Sequence, residues 1–448
     1  MRVGKVKVSG QGAILQETDL GWIFSGRYTK PNKFNSKIDS IFPTTVQCNL
    51  IKYQDIPPLW ELESDKLSKN LSDEEKIVEE HCNKTTKRLE NGSYQVNLPF
   101  NDKKEILGDS RNTAFQRFYA LERKFEKYPE FHSSYCDIIQ NYLDEGHLTA
   151  VDSKNDLKGG YFLPHHAVTK VDSCTTRDGV VFDGSTKTSS GVSLNEALRV
   201  GPTIQDNIYA IIARFRLFPY ALSADIRKMY RQILGSPKDE QFQKILWRSR
   251  SDQPIEIYSL NRVTFGTACA PYLAIRTLHQ LADDEQREFP IAAHFLKNDF
   301  YVDDFLSSAK TLQDALDIRN ELITLLSKGG FTLRKWVSND PRLCENFVGN
   351  ISDEHMSLDP SNVVKTLGLR WNPTSDEFLY IVNLENTNEI ATKRSVLSKC
   401  AKLYDPLGIL GPVIVVGKLL IQQLWKLNLE WNEPLPKDLQ IIWKEYVD

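Results

Sequence analysis

The stretch Phe-Tyr-Val-Asp-Asp-Phe-Leu at positions 300–306 sets two adjacent carboxylates, Asp303 and Asp304, among apolar residues. Burying two neighbouring charges in apolar surroundings is costly unless something neutralises them, and oxygen-ligated divalent cations commonly do so. The alternative is a solvated acid pair in a surface turn. Because neighbouring side chains of a straight strand point to opposite faces, only a tight hairpin lets both carboxylates approach one site. The stretch therefore predicts a hairpin over 293–309 and a candidate cation site at its turn.

A third carboxylate, Asp225, lies in the run Leu-Ser-Ala-Asp-Ile at 222–226, at the end of a second predicted strand. Acids at the ends of two strands can share a pair of Mg2+ ions, or Mn2+ in their place, about 3.5–4 Å apart. Such a pair suits phosphoryl transfer, since one ion activates an attacking hydroxyl and the other holds a triphosphate. We therefore expect Asp225, Asp303 and Asp304 to be both metal ligands and catalytic residues.

The composition is that of an ordinary folded protein. The chain has 448 residues, of which 41% are hydrophobic and 26% charged, and its net charge is -3. These values exclude a disordered chain and suffice for two or three packed lobes, whereas the net charge says little about nucleic-acid binding. The seven cysteines contain no C-x-x-C pair, which argues against a zinc site, and no apolar run is long enough to span a membrane.

Hydrophobic periodicity predicts an α+β protein with an antiparallel sheet, because helices alternate with the strands and hairpins that carry the acids. A capping box at Thr311 and Asp314 opens one of the helices, which ends at Gly329. The predicted helices cover 135–143, 204–215, 270–285, 312–328, 393–403 and 412–428. The predicted strands cover 219–226, 242–248, 255–260, 331–337, 365–371 and 378–383.

The order of motifs along the chain resembles that of retroelement reverse transcriptases. Ser-Ala-Asp-Ile-Arg-Lys-Met-Tyr-Arg-Gln-Ile at 223–233 resembles their first palm motif, and Tyr-Val-Asp-Asp at 301–304 resembles their Y-x-D-D hairpin. The other similar motifs are two from the fingers at 161–166 and 181–188, a template- and nucleotide-contacting motif at 263–274, a further palm motif at 330–339 and a primer grip at 365–371. The particular residues, with Leu-Ser-Lys-Cys-Ala-Lys-Leu-Tyr-Asp-Pro-Leu-Gly at 397–408, resemble the Pao/BEL group of long-terminal-repeat retrotransposons over roughly 91–448.

This resemblance implies a right-hand polymerase with fingers, an antiparallel palm sheet and a thumb. It implies RNA-directed DNA synthesis from deoxynucleoside triphosphates, with an RNA or DNA template and a DNA primer. In the family, this enzyme is one segment of a polyprotein with capsid, aspartic protease, ribonuclease H and integrase, assembled in cytoplasmic virus-like particles without a membrane partner. Along the chain we expect the tail of the protease segment at 1–45, a charged helical linker at 46–90, fingers and palm at 91–384, and a thumb-like segment at 385–448 that ends before ribonuclease H.

The resemblance also assigns roles to individual residues. Tyr230, five residues after Asp225, matches the family's steric gate against a ribose 2′-hydroxyl. The other candidates for nucleotide contact are Phe265, Gly266, Arg177 and Lys187. The candidates for nucleic-acid contact are Arg231, Lys335, Gly368 and Trp371. Gly179 departs from the family, which usually has an arginine there to grip triphosphate oxygens, and Arg177, Lys170 or Lys187 could substitute for it.

Two other functions stay open. A decayed or domesticated copy would keep the fold and bind nucleic acid without catalysis, which Gly179 favours and the three aspartates oppose. An aspartic peptidase is disfavoured, because its Asp-Ser/Thr-Gly signature is absent from the sequence.

Overall fold

The computed structural model of the chain describes residues 71–151, 160–169, 178–344, 364–380 and 390–447, together with the backbone of three strands before residue 27. The chain divides into two compact units, Met1–Lys69 and Asn70–Asp448. In the first unit, the antiparallel strands are β1 (Val6–Val8), β2 (Ala13–Thr18) and β3 (Gly21–Gly26). The three aspartates belong to the second unit.

Each of the six helices predicted from periodicity is present in the second unit, together with further helices. The helices of this unit are α1 (Asp73–Thr85), α2 (Arg111–Lys127), α3 (Pro129–Asp144), α4 (Leu194–Ala197), α5 (Ile208–Phe215), α6 (Met229–Gln232), α7 (Ala270–Glu285), α8 (Pro290–Asn298), α9 (Leu312–Lys328), α10 (Lys393–Ala401), α11 (Gly411–Lys426) and α12 (Lys437–Val447). The capping box predicted at Thr311 and Asp314 is confirmed at the start of α9.

The strands of the second unit form several small sheets. They are β4 (Lys87–Arg88), β5 (Tyr94–Val96), β6 (Leu148–Ala150), β7 (His165–Thr169), β8 (Asp178–Phe182), β9 (Tyr220–Ile226), β10 (Leu234–Gly235), β11 (Lys244–Trp247), β12 (Glu256–Leu260), β13 (Phe300–Tyr301), β14 (Asp304–Ala309), β15 (Leu333–Ser338), β16 (Val364–Thr366), β17 (Leu369–Asn372) and β18 (Glu377–Leu379). The predicted mixed α+β class is confirmed.

A four-stranded antiparallel sheet of order β13-β14-β9-β15 positions the candidate site. Helices α5 and α9 pack against β14. Along β9, Leu222 and Ile226 enter the main core, whereas Ala221 packs in a second cluster with Trp371. Because side chains alternate along a strand, Asp225 shares the face of Ala221 and is spared burial in the main core.

One predicted element differs from the structure. The hairpin expected over 293–309 is shorter, because α8 runs through Asn298 and only β13 and β14 form the hairpin. Pro290 suits the first turn of α8, and Ala292 and Leu296 bury one helical face. The charged helical linker predicted over 46–90 includes α1, whose Val78 and Cys82 are buried in the main core.

The C-terminal helices α10, α11 and α12 have a core of their own. Its buried members include Val396, Leu420, Leu424 and Trp443. In the part of the chain that the structure describes, no helix combines the length and apolar character needed to cross a membrane.

Candidate active site

Two carboxylates and one guanidinium form a row across the central sheet. Asp304 of β14 is the antiparallel partner of Asp225 in β9, and Asp225 is in turn the partner of Arg334 in β15. Cross-strand partners project from the same face of a sheet, so the three side chains are neighbours. Asp303 lies in the turn beside them, and its carbonyl oxygen accepts a hydrogen bond from the backbone N–H of Ile226 at 2.9 Å. The hairpin and β9 therefore bring together the three acids predicted from the sequence.

The turn that carries Asp303 has an unfavourable backbone. Tyr301 pairs with Asp304, so Val302 and Asp303 form a two-residue turn, and Val302 has a φ of +57°. A β-branched residue is strained in this left-handed region, which glycine or asparagine normally occupies. The backbone N–H of Val302 donates to the side-chain oxygen of Gln205 at 3.0 Å. This bond stabilises the turn, and no motif in the sequence indicated a role for Gln205.

Burial and mutual repulsion disfavour the charged forms of the hairpin acids. Burial first, and then the charges of the neighbouring Asp303 and Asp225, raise the pKa of Asp304 to about 7. The pKa of Asp303 is also raised, first by burial and then by Asp225. Carboxylates in this state gain strongly from a nearby positive charge.

Two consecutive cations on β15 approach the acids. The Nε of Arg334 donates to the Oδ2 of Asp225 at 2.7 Å. Lys335 follows with a φ of +54°, at a bulge where the register of β15 against β9 shifts. A bulge lets successive side chains serve one site, which a regular strand prevents. Both cations lower the pKa of Asp303 against the effect of burial.

The donor set suits a hard divalent cation, but the side chains do not converge on one point. All three acids are carboxylates, and oxygen is the ligand atom that Mg2+ prefers. Within the described ranges, however, no group of three or more Asp, Glu, His or Cys side chains is arranged as a metal-binding cluster. Asp225 is engaged with Arg334 instead.

Tyr230, five residues after Asp225, lies within electrostatic range of Asp303. It belongs to the short helix α6, and the charge of Asp303 contributes, after burial, to raising the pKa of Tyr230 to about 12. Its ring meets that of Phe265 edge to face, with centroids 6.4 Å apart. The tyrosine is half-buried.

Glycine is required at position 266 because another segment of protein backbone passes close to it. It has a φ of +96°, and a Cβ there would lie 2.0 Å from the carbonyl oxygen of Phe182 in β8. Asn195 ties the same turn to α4, because its side-chain amide donates to the carbonyl of Gly266 at 3.1 Å and its side-chain oxygen accepts from the N–H of Ala268 at 2.8 Å. The sequence did not single out Asn195.

The remaining nucleotide and phosphate candidates are dispersed. Arg231 stacks over Tyr142, with its guanidinium carbon 3.8 Å from the ring centroid, and burial lowers its pKa. Lys187 is exposed and pairs with Glu196. Arg177 and Lys170 lie outside the described residues, whereas Gly179 occupies β8 opposite Val168.

Of the two candidates at 365–371, Gly368 lies in a turn and Trp371 lies in a core. Leu367 and Gly368 have φ values of +49° and +81° and join β16 to β17, as a type I′ hairpin turn requires. The prediction that Trp371 contacts nucleic acid is wrong. Its side chain is fully buried, and its Nε1 donates to Asp376 at 3.1 Å, because alternation along β17 points it into the second cluster.

The C-terminal end of the chain is similar to a retrotransposon family. Residues 392–448 match the family described as Pao retrotransposon-like RNaseH-like domain. No curated protein matches the chain. The described residues of this segment form α10, α11 and α12. This description differs from the thumb-like segment predicted for 385–448.

Solved structures of foamy viral proteins are also similar to the chain. One is the foamy viral protease-reverse transcriptase dRH in complex with double-stranded DNA, at a TM-score of 0.47 and 15% identity, covering 70% of this chain and 47% of that one. Another is the foamy viral protease-reverse transcriptase in complex with an RNA/DNA hybrid, at 0.46 and 14%, covering 71% and 36%. This chain spans less than half of either protein, and TM-scores below 0.5 carry no functional conclusion. The similarity to a Pao retrotransposon family at 392–448 is the firmer result.

Proposed function

We propose that this chain is the RNA-directed DNA polymerase segment of a Pao/BEL-type retrotransposon polyprotein. The observation that carries the proposal is the arrangement of Asp225, Asp303 and Asp304 at one end of an antiparallel sheet. The similarity of 392–448 to a Pao family supports it independently. In this proposal the central sheet is the palm of a right-hand polymerase, the elements between 91 and 200 belong to the fingers, and the primer, the template and deoxynucleoside triphosphates are the partners.

The acids are suited to holding Mg2+, which when bound would activate the primer 3′-hydroxyl and neutralise the triphosphate. Asp303 and Asp304 have raised pKa values, so a positive charge beside them relieves their repulsion. The hydrogen bond between Ile226 and Asp303 keeps the hairpin in register with β9. The chain itself therefore contributes carboxylate oxygens on a hairpin that is held in register with β9.

Tyr230 would select the sugar of the incoming nucleotide. Its ring is braced by Phe265 and lies close enough to Asp303 to be influenced by its charge. A ring held beside the reacting triphosphate excludes a 2′-hydroxyl by steric clash, which is selection against the wrong substrate.

A non-catalytic nucleic-acid-binding copy is the second candidate. The observation that favours it is the ion pair between Arg334 and Asp225, together with the lack of a converged cluster among the described residues. Such a protein would bind a primed template but would not extend it.

One assay separates the two functions. Purified protein is incubated with a primed RNA template, deoxynucleotides and Mg2+, beside an Asp303→Asn variant and an EDTA control. We expect extension by the wild type and none by Asp303→Asn, because the variant loses a charged ligand. The Asp225→Asn variant should behave likewise, whereas Asp304→Asn should be milder. Template binding without extension would favour the second candidate, and extension by Asp303→Asn would refute the site assignment.

A further inference from the structure

Arg334 faces Asp225 directly across the sheet. The two residues are antiparallel partners, and the 2.7 Å bond joins the guanidinium Nε to the carboxylate Oδ2. Their side chains are 24% and 19% exposed, so water screens the pair only in part. A charge-assisted hydrogen bond in such a setting is substantially stronger than a surface ion pair.

We propose that Arg334 is a latch on Asp225: its guanidinium neutralises this carboxylate until divalent cations displace it, and Arg334 thereby sets the cation concentration that the site requires. The inference rests on the proposed function, because it concerns the same three acids.

The argument begins with the chemistry of the guanidinium. Arginine does not lose its proton in proteins, so Asp225 can be released only by movement of the Arg334 side chain. A carboxylate oxygen that accepts a bond from a cation also offers less negative charge to a second cation. Bound Arg334 and a bound divalent ion therefore compete for Asp225.

The arrangement of the acids indicates that Arg334 competes with a cation for Asp225 and does not merely align its carboxylate. Asp303 and Asp304 lie beside Asp225, but within the described residues no three acids are arranged as a cation cluster. Asp225 is the member whose side chain bonds an arginine. Displacement of Arg334 would free Oδ2 of Asp225 for a cation on the face that Asp225 shares with Asp304.

The two cations of β15, Arg334 and Lys335, act on the acids in different ways. The bulge at Lys335 gives that residue a φ of +54°, and both Lys335 and Arg334 act on Asp303 electrostatically. Of these two described residues, Arg334 is the one that bonds Asp225, so the latch is assigned to Arg334 and the general positive field to Lys335.

The test measures binding of Mn2+ alone, by the loss of the electron paramagnetic resonance signal of the free ion. Arg334→Met keeps the length of an apolar stem and removes the charge. It should bind Mn2+ about 5- to 30-fold more tightly than wild type, as expected from loss of one competing charge-assisted bond. Adding Asp225→Asn to Arg334→Met should abolish the gain.

Arg276→Met is the matched control. Arg276 also bonds a carboxylate through Nε, that of Glu79 at 3.2 Å, with exposures of 16% and 22%. The Mn2+ affinity of Arg276→Met should equal that of the wild type. Circular dichroism verifies folding, and if Arg334→Met does not fold, Arg334→Lys carries the test, with a smaller gain expected because lysine lacks the Nε donor.

Unchanged or weaker Mn2+ binding by a folded Arg334 variant would overturn the latch and make Arg334 an aligning residue. This outcome is separable from failure of the proposed function. Primer extension with unaltered Mn2+ affinity refutes only the latch. Tighter Mn2+ binding that depends on Asp225, in a protein that extends no primer, refutes the polymerase and leaves the latch in place.

Discussion

The ring of Tyr404 lies against Gly368 so closely that a Cβ added at Gly368 would be 2.7 Å from the ring's Cε1. Tyr404 belongs to the segment after α10, and Gly368 to the turn between β16 and β17. Tyr301 of the acid-bearing hairpin acts electrostatically on Tyr404, because it adds to the effect of burial in raising the tyrosine's pKa. The turn and the C-terminal segment thus meet at Tyr404, and the hairpin residue Tyr301 influences the pKa of that tyrosine.

We expect Gly368→Ala to be destabilising for two separable reasons. The φ of +81° disfavours any side chain by about 1–2 kcal/mol, and the new methyl group collides with Tyr404. Gly191→Ala is the matched control, because Gly191 has a φ of +78° with nothing within 4 Å of the added Cβ. Urea unfolding should show a larger loss of unfolding free energy for Gly368→Ala than for Gly191→Ala. In a protein that already carries Tyr404→Ala, the loss caused by Gly368→Ala should fall to that of Gly191→Ala. Equal losses would mean that the contact contributes nothing.

Tyr230→Ala should admit ribonucleotides. Removal of the ring opens space at the sugar, so the kcat/KM for ribonucleotides relative to deoxynucleotides should rise about 10- to 1000-fold. Tyr230→Phe should leave selectivity nearly intact, since the ring and its contact with Phe265 remain. Single-nucleotide extension kinetics provide the measurement. An unchanged preference in Tyr230→Ala would make the residue part of the core only.

Gln205→Leu should loosen the acid-bearing turn. The Val302 N–H would lose its acceptor in a strained turn, which costs about 1–3 kcal/mol if the donor stays buried. In primer extension, kcat should fall more than KM changes, because Asp303 would no longer be held in place. Gln140→Leu, which removes an exposed bond to Asp144 on α3, serves as the control for loss of a glutamine. Val302→Gly should partly rescue Gln205→Leu, since glycine tolerates a positive φ. Full activity of Gln205→Leu would exclude this positioning role.

In EDTA, stability should fall as the pH rises from about 4 towards 7. The folded-state pKa of Asp304 is raised to about 7 from an ordinary value of 3.8, so the folded protein retains a proton that the unfolded chain releases. The free energy of unfolding is then highest below the unfolded pKa and decreases by at most about 1.4 kcal/mol per pH unit from this group, levelling off above 7. Urea unfolding of wild type and Asp304→Asn between pH 5 and 8 measures the effect as a difference. Parallel profiles would show that Asp304 does not titrate in this window.

Gly179→Arg remains a test of nucleotide binding. In the structure, a Cβ at Gly179 would meet only the Val168 carbonyl at 4.0 Å, so a side chain fits there. If the arginine reaches triphosphate oxygens, the KM for deoxynucleotides should fall. Gly179→Gln, which has a polar side chain without the charge, is the control. A KM that is unchanged or higher would indicate that another residue already fills this role.

The sequence alone predicted the local features of the chain. Periodicity and capping located α7, α9 and the strands that carry the acids, because helix and strand spacing depend on nearby residues. The spacing of Tyr230 from Asp225 likewise led us to expect the ring near the acids, and Asp303 acts on it electrostatically.

Tertiary structure alone decided which residues face one another. Arg334 meets Asp225, Gln205 meets Val302 and Asn195 meets Gly266 across long stretches of chain, and each contact depends on strand register or on a side-chain bond that no local pattern encodes. Trp371 was misread for the same reason: β17 could present it to solvent or to the core, and only the packing of α5 and β9 around it settled the question. The sequence determined which chemical groups the site contains; the pairing of strands determined that one of its acids is held by an arginine.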